Sequence, residues 1–260
     1  MSMFQEVKIL TRNYIDGDST ITVSHGGNTA KLYDRDKNSL YVTSGAKRDT
    51  ITAEVTIIFK VGTTETAFAL NNFFLLNTNV KDFTFQRYAS GAYVNVFDAT
   101  VPENARFMYC EFGQITTSRI KILLKSTQYA FNQEKEIGEM IACRLRYNMS
   151  QNIATQTVSH REKKQTIELG DGQRHVAYTR FSENRISKYG ASATFALMPQ
   201  VDYDFLEALK NQGAPFLWYP ESETRPQEIY YVNWVNQFIA NYTSSYKGAG
   251  YDLTMELEEV

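Results

Sequence analysis

The sequence predicts a mainly β protein in two parts. Through the first half, short runs rich in Val, Ile, Tyr and Phe alternate with Gly, Asn, Asp and Ser clusters, the pattern of a β-sandwich. The second half mixes such runs with a single helical stripe, which predicts a mixed sheet with one packed helix. Between them the stretch from Tyr147 to Lys164 is polar and unperiodic, like an interdomain linker. The expected division is therefore a sandwich over residues 1–150, a linker over 151–164 and a second domain over 165–260, with the boundary near residue 152.

In the first half the expected strands are Ile21 to Val23, Leu40 to Thr43, Thr50 to Phe59, Ala67 to Phe74, Asp82 to Phe85, Arg106 to Phe112, Ser118 to Leu124 and Glu136 to Leu145. The run Thr52-Ala-Glu-Val-Thr-Ile-Ile-Phe59 has period two and places Val55, Ile57 and Phe59 on one face. In the second half, Gln165 to Leu169 and Gln173 to Tyr178 flank Gly170-Asp-Gly172, a hairpin signal because tight turns need positive φ. Asp202 is placed to cap a helix carrying Phe205, Leu206 and Leu209 on one side, and Gly213 to end it. Phe216, Trp218, Tyr230, Val232 and Trp234 recur with period two on two following strands, and are expected to face inward together.

Composition excludes several classes. With 43% hydrophobic and 22% charged residues the chain has enough apolar surface to bury a core. The formal charge of −2 comes from interspersed acids and bases, with no Lys/Arg block to neutralise a phosphate backbone, so nucleic-acid binding is not expected. No run of ~18 apolar residues and no cationic leader precedes an apolar segment, so neither a membrane span nor a signal peptide is read. Cys110 and Cys143 lack ligand spacing and read as buried reduced thiols.

Catalytic chemistry finds no constellation. The three histidines, His25, His160 and His175, share no ligand spacing. Ser24-His25-Gly26-Gly27 has no nucleophile elbow and reads as a polar turn. Carboxylate pairs such as Glu134/Glu136 read as solvated loop charges. Asp16-Gly-Asp18 and Asp34-Arg-Asp36 read the same way, with hard oxygen ligands for a structural Ca²⁺ as the alternative; no other cofactor is expected. For sugar binding, Tyr14, Tyr33, Asp34, Tyr88 and Tyr93 are the ligand-facing candidates, with Tyr41 a further aromatic, against the reading that these rings simply pack the core.

Two resemblances give these elements a context. Ile15-Asp-Gly17, Leu32-Tyr-Asp34, Leu70-Asn-Asn-Phe73, Arg119-Ile-Lys-Ile-Leu-Leu124 and Ile137-Gly-Glu-Met-Ile141 resemble landmarks of the galactose-binding-like jelly roll of discoidin-type and carbohydrate-binding modules. There Leu-Asn-Asn marks a turn with capping amides, and Ile-Gly-Glu opens the final strand. The closing order is Phe195-Ala-Leu197, Asp202 to Leu209, Gly213-Ala-Pro-Phe-Leu-Trp-Tyr-Pro220, Glu228 to Trp234 as an edge strand, and Tyr251 to Val260. It resembles the minor tail and distal tail proteins of long-tailed bacteriophages.

That second resemblance implies a structural, non-enzymatic subunit of a tail tip or baseplate. The subunit would close into a homo-oligomeric ring, six-membered by analogy with tail tubes, and meet tail-tube, hub or tape-measure proteins. It would be assembled in the host bacterial cytoplasm, carried in the virion, and display the jelly roll outward toward a host surface glycan. Asp171, Gly172, Tyr231, Tyr242 and Tyr246 are the expected contact residues between subunits. The alternative is a carbohydrate-binding protein without catalytic activity.

Overall fold

The computed structural model describes residues 7–128, 133–168, 174–179, 187–222, 225–245 and 248–260. It is mainly β, with one α-helix among these residues. Two compact units result, one spanning Asn13–Leu145 and the other combining the chain's first strand with everything from Arg146 onward.

The first unit is a jelly-roll β-sandwich. Its five-stranded sheet runs in the order Thr20–Val23, Ala53–Ile58, Arg119–Leu124, Asp82–Ala89, Ala92–Thr100. The three-stranded sheet has Phe68–Leu76 between Phe107–Thr117 and Glu139–Cys143. Alternation decides what is buried: Val55, Ile57 and Phe59 are fully inside, as their period predicts, while Thr56 stays half-buried on the other face. Phe73 from the smaller sheet meets Phe83 and Phe85 of the larger one at centroid separations of 5.9 and 5.0 Å, so interleaved rings join the sheets.

The sequence missed the strand Ala92–Thr100, a mostly half-exposed edge. The strand expected from Ala67 to Phe74 is found as Phe68–Leu76, so Leu70-Asn-Asn-Phe73, a turn by the jelly-roll resemblance, lies within a strand. Asn71 nevertheless caps backbone: its Oδ1 accepts from the Leu145 N–H at 2.8 Å. Gly138 separates the short strand Glu136–Ile137 from Glu139–Cys143. A Cβ there would stand 2.1 Å from the Lys37 carbonyl oxygen, which is why only glycine fits. Cys110 and Cys143 are free thiols on the two strands flanking Phe68–Leu76, but only Cys143 is buried, Cys110 being partly exposed.

The second unit does not follow the expected boundaries. Lys8–Leu10 pairs with Phe216–Tyr219 and neighbours Leu145–Asn148, so residues 7–12 belong here and not to the sandwich. The expected linker is largely strand: Thr155–Glu168 pairs first with Ser187–Met198 and then with Arg174–Thr179. Residues 154, 155, 157, 158 and 159 are exposed, and this absence of a buried face is what made the segment read as a linker. The sheet continues through Gly248–Glu259 and Tyr230–Trp234 to Phe216–Tyr219, and its registered pairs are antiparallel. Tyr230–Trp234 is thus an interior strand, not an edge.

One face of this sheet is covered by the helix Gln200–Gln212, through Leu206 and Leu209. Gly213 stops the helix in the left-handed region at φ 62°, its N–H donating to the Lys210 carbonyl. The start differs from expectation: Pro199 is the N-cap, and Asp202 lies inside the first turn, fully buried. Its carboxylate accepts from Tyr147 Oη at 2.7 Å, Ser150 Oγ at 2.8 Å and the Ser150 N–H at 3.1 Å, so it ties the helix to the segment that follows Leu145–Asn148.

The inward-facing set divides. Phe216, Trp218 and Val232 are buried, while Tyr230 and Trp234 are half-buried beside them. Trp234 Nε1 donates to Asn236 at 2.6 Å, and Lys210 sits 5.5 Å above its ring. Trp218→Ala is expected to destabilise this unit by about 3–5 kcal/mol, and Trp234→Ala by clearly less. Chemical denaturation of the two variants gives the order, and equal losses would return Trp234 to the core.

Candidate functional site

The sandwich carries an open polar cleft of about 520 Å³, lined by Val42, Lys47, Asn79, Arg106, Gln133, Glu134 and Glu136. Two local features build its floor. The short strand Glu136–Ile137 pairs with Tyr41–Val42, and the Asn79 amide bridges the approach to it. Asn79 Nδ2 donates to the Glu134 carbonyl at 2.8 Å, and its Oδ1 accepts from the Glu136 N–H at 2.8 Å.

Glu134 organises the adjoining loop. Its carboxylate accepts from Thr43 Oγ1 at 2.6 Å, the Gly45 N–H at 2.8 Å and the Ala46 N–H at 3.1 Å. Burial alone would raise its pKa, but these three donors together outweigh it and hold the carboxyl below the usual range. A carboxylate so engaged has no free geometry for acid–base work. The lining as a whole offers cations, acids and amides side by side, a mixture suited to a polar ligand bearing several hydroxyl or charged groups. The sequence named Glu134 and Glu136 only as solvated charges. Nothing in it showed that residues 42, 47, 79 and 106 converge on them.

The ligand-facing candidates do not form one site. Tyr14 stacks on Phe68 at 4.2 Å and, with Tyr33, packs against the sandwich core. Asp34 sits in a turn, accepting from the Asp36 N–H at 3.0 Å, and burial pushes its carboxyl upward. Tyr88 and Tyr93 are a cross-strand pair on the outer face of the larger sheet, with ring centroids 5.3 Å apart. Arg119 covers Tyr88 at 5.0 Å and Lys121 covers Tyr93 at 4.7 Å. These cations are in turn held by Glu65 and Glu54.

The calcium alternative meets the same fate. Asp16 Oδ1 accepts from the Asp18 N–H, Asp18 Oδ2 from the Gly62 N–H, and Asp36 Oδ1 from the Asn38 N–H, so these carboxylates are engaged as turn caps. Among the described residues no group of three or more His, Cys, Asp or Glu is placed to hold a metal ion. Ser24 and His25 also serve the backbone: Ser24 Oγ accepts from the Glu54 N–H at 2.8 Å, while Tyr41 Oη donates to the His25 carbonyl.

In the second unit an aromatic chain runs Trp234, Phe238, Tyr203, Tyr251, Tyr242, with neighbouring centroids 4.2–5.6 Å apart. Ile239 and Tyr242 at its rim are 62% and 64% exposed, and Val201 and Val235 are exposed nearby in sequence. Beside Trp234 lies a smaller pocket of about 270 Å³, flanked by Lys210, Gly213 and Phe216. Of the expected subunit contacts, Tyr242 is in this strip. Tyr231 is half-buried in the strand Tyr230–Trp234, its carbonyl accepting from the Val260 N–H. Asp171, Gly172 and Tyr246 lie outside the described residues.

Because the Glu134 carboxyl is held low, its stabilisation is present above the ordinary carboxylate range and is lost as pH falls through its folded value. Glu134→Gln is therefore expected to cost about 1–2 kcal/mol at neutral pH and progressively less in acid. Denaturant titrations of parent and variant across this range check it; a pH-independent gap would mean that the charge is not what holds the loop.

No protein-family model and no curated protein matches the chain. Solved structures do match part of it. A family 32 carbohydrate-binding module of Clostridium perfringens NanJ, in complex with galactose, is 14% identical with a TM-score of 0.42, covering 51% of this chain and 98% of that one. A module of Clostridium perfringens GH89, in complex with GalNAc-β-1,3-galactose, is 12% identical with a TM-score of 0.41, covering 50% and 98%. A putative chitobiase fragment from Bacteroides thetaiotaomicron is 12% identical with a TM-score of 0.44, covering 56% and 98%.

Proposed function

We propose that this chain is a non-catalytic structural subunit, which assembles with copies of itself through its second unit and carries the sandwich as a recognition module. The observation that carries this reading is a pair of one-sided strands. Among the described residues, Arg174–Thr179 pairs only with Thr155–Glu168, and Ala240–Ser245 only with Gly248–Glu259. Each is six residues long, and among the described residues each has one flank with no registered strand partner.

Among the described residues, 163–168 pair with 174–179 and 155–162 with 187–194. A strand with an open flank can pair with the edge of another sheet. Two different edges meeting head to tail make a heterologous contact, and such contacts close into rings when the rotation permits. The exposed Ile239 and Tyr242 beside the second edge add apolar area to that contact.

The motif order from Phe195 to Val260 gives this assembly its setting, a ring at the tail tip or baseplate of a phage or phage-derived particle. Six copies is the expected number by analogy with tail tubes. Tape-measure, hub and tube proteins are the partners in that setting, the host cytoplasm the place of assembly and the virion the final location.

A second reading is favoured by the sandwich cleft, whose mixed polar lining suits a glycan. The two readings are compatible, since a ring subunit that displays a glycan-binding module uses both surfaces.

The purified chain is expected to run as a closed oligomer by light scattering and negative-stain microscopy. Ile239→Asp combined with Tyr242→Asp should release monomers that melt like the parent. A monomeric parent that binds a glycan array, with binding lost in Arg106→Ala, would overturn the assembly reading and leave the binding module in its place.

A further inference from the structure

Lys135 is among the largest fully buried side chains of the protein, at 0% exposure, a rare position for an ammonium. It lies between Glu134 and the short strand Glu136–Ile137, and its contacts all go to one loop. The Lys135 N–H donates to Thr43 Oγ1 at 2.9 Å, and its carbonyl accepts from the Thr43 N–H at 3.0 Å. Its Nζ donates to the Ala46 carbonyl at 2.7 Å and reaches the Arg48 carbonyl at 3.5 Å.

Two carboxylates complete the surroundings. Glu134 binds the same loop at Thr43, Gly45 and Ala46. Asp49 takes the Thr127 N–H at 3.1 Å and Thr127 Oγ1 at 3.4 Å, which pins the far end of the loop to another segment of the sandwich. Burial pushes the ammonium toward its neutral form, and Asp49 and Glu134 oppose that. Loop carbonyls converging beside two carboxylates are the oxygen set with which proteins usually hold a hard cation.

We infer that the Lys135 ammonium is the internal cation of the 43–49 loop, standing where a bound metal ion would otherwise be needed, and that it fixes the Lys47 wall of the cleft. A cleft formed in this way needs no metal to take its shape. The loop is built in this way whether or not the chain assembles.

Three measurements on the full chain test it. The parent should melt at the same temperature in chelator and in millimolar CaCl₂. Lys135→Met, which keeps the stem and removes the charge, should melt lower by roughly 10 °C in both solutions, because the loop carbonyls and carboxylates are left facing an apolar group. Should that variant fail to fold, the folded parent still decides the matter by NMR, where one lysine ammonium protected from solvent exchange is expected. A parent that loses stability in chelator or gains it with CaCl₂, a variant that melts like the parent, or the absence of a protected ammonium would each overturn the inference.

Discussion

The arrangement depends on one short piece of pairing: Lys8–Leu10 lies between Phe216–Tyr219 and Leu145–Asn148 in the sheet of the second unit. The chain leaves this sheet at one strand, builds the whole sandwich, and returns at the neighbouring strand. Three hydrogen-bonded devices hold the chain at this point. The Met149 N–H donates to the Val7 carbonyl, and the Asp202 carboxylate gathers Tyr147 and Ser150 beneath the helix. Within the sandwich, the Asn13 amide imitates a strand, donating to the Met140 carbonyl at 2.9 Å and accepting from the Ala142 N–H at 3.0 Å. Replacing the backbone pairing by an amide side chain closes the sandwich just where its two ends approach.

Charge in this protein mostly organises backbone. Asp16, Asp36 and Glu134 accept from N–H groups of turns, and Asp252 accepts from the Leu197 N–H at 2.8 Å. That last bond supports a residue whose φ of 56° is unfavourable for a leucine, at a bulge where Gly250 leaves room for the bent chain. The exposed pairs, such as Lys125 with Asp98, are screened by water and contribute little by comparison.

What was legible in the sequence follows from the range of each interaction. Period-two alternation in Ala53–Ile58 and the glycine stop at Gly213 are local, and both are found where the pattern placed them. The role of Asp202 is not local, because its partners are more than fifty positions away; by sequence alone an aspartate at a helix start reads as a cap. The first part of Thr155–Glu168 escaped detection, its end alone being expected from Gln165, because residues 155–159 bury neither face and no hydrophobic period marks them. Lys135 stands between two glutamates in a charged run with no hydrophobic period, so nothing local marks its burial. The cleft was invisible because its walls come from four separate stretches of chain.

The double connection of the sandwich has a mechanical consequence. A module strung at the end of a chain hangs by one covalent tether, and a single protease cut or one frayed linker detaches it. Here a cut between Leu10 and Asn13, or another after Leu145, leaves the module covalently joined through the other connection. Each connection ends on a strand of the second unit's sheet, one paired with Phe216–Tyr219 and the other followed by the Asp202 clamp. The same connectivity makes the sandwich an insertion between two neighbouring strands of one sheet, the kind of position at which one module can be exchanged for another.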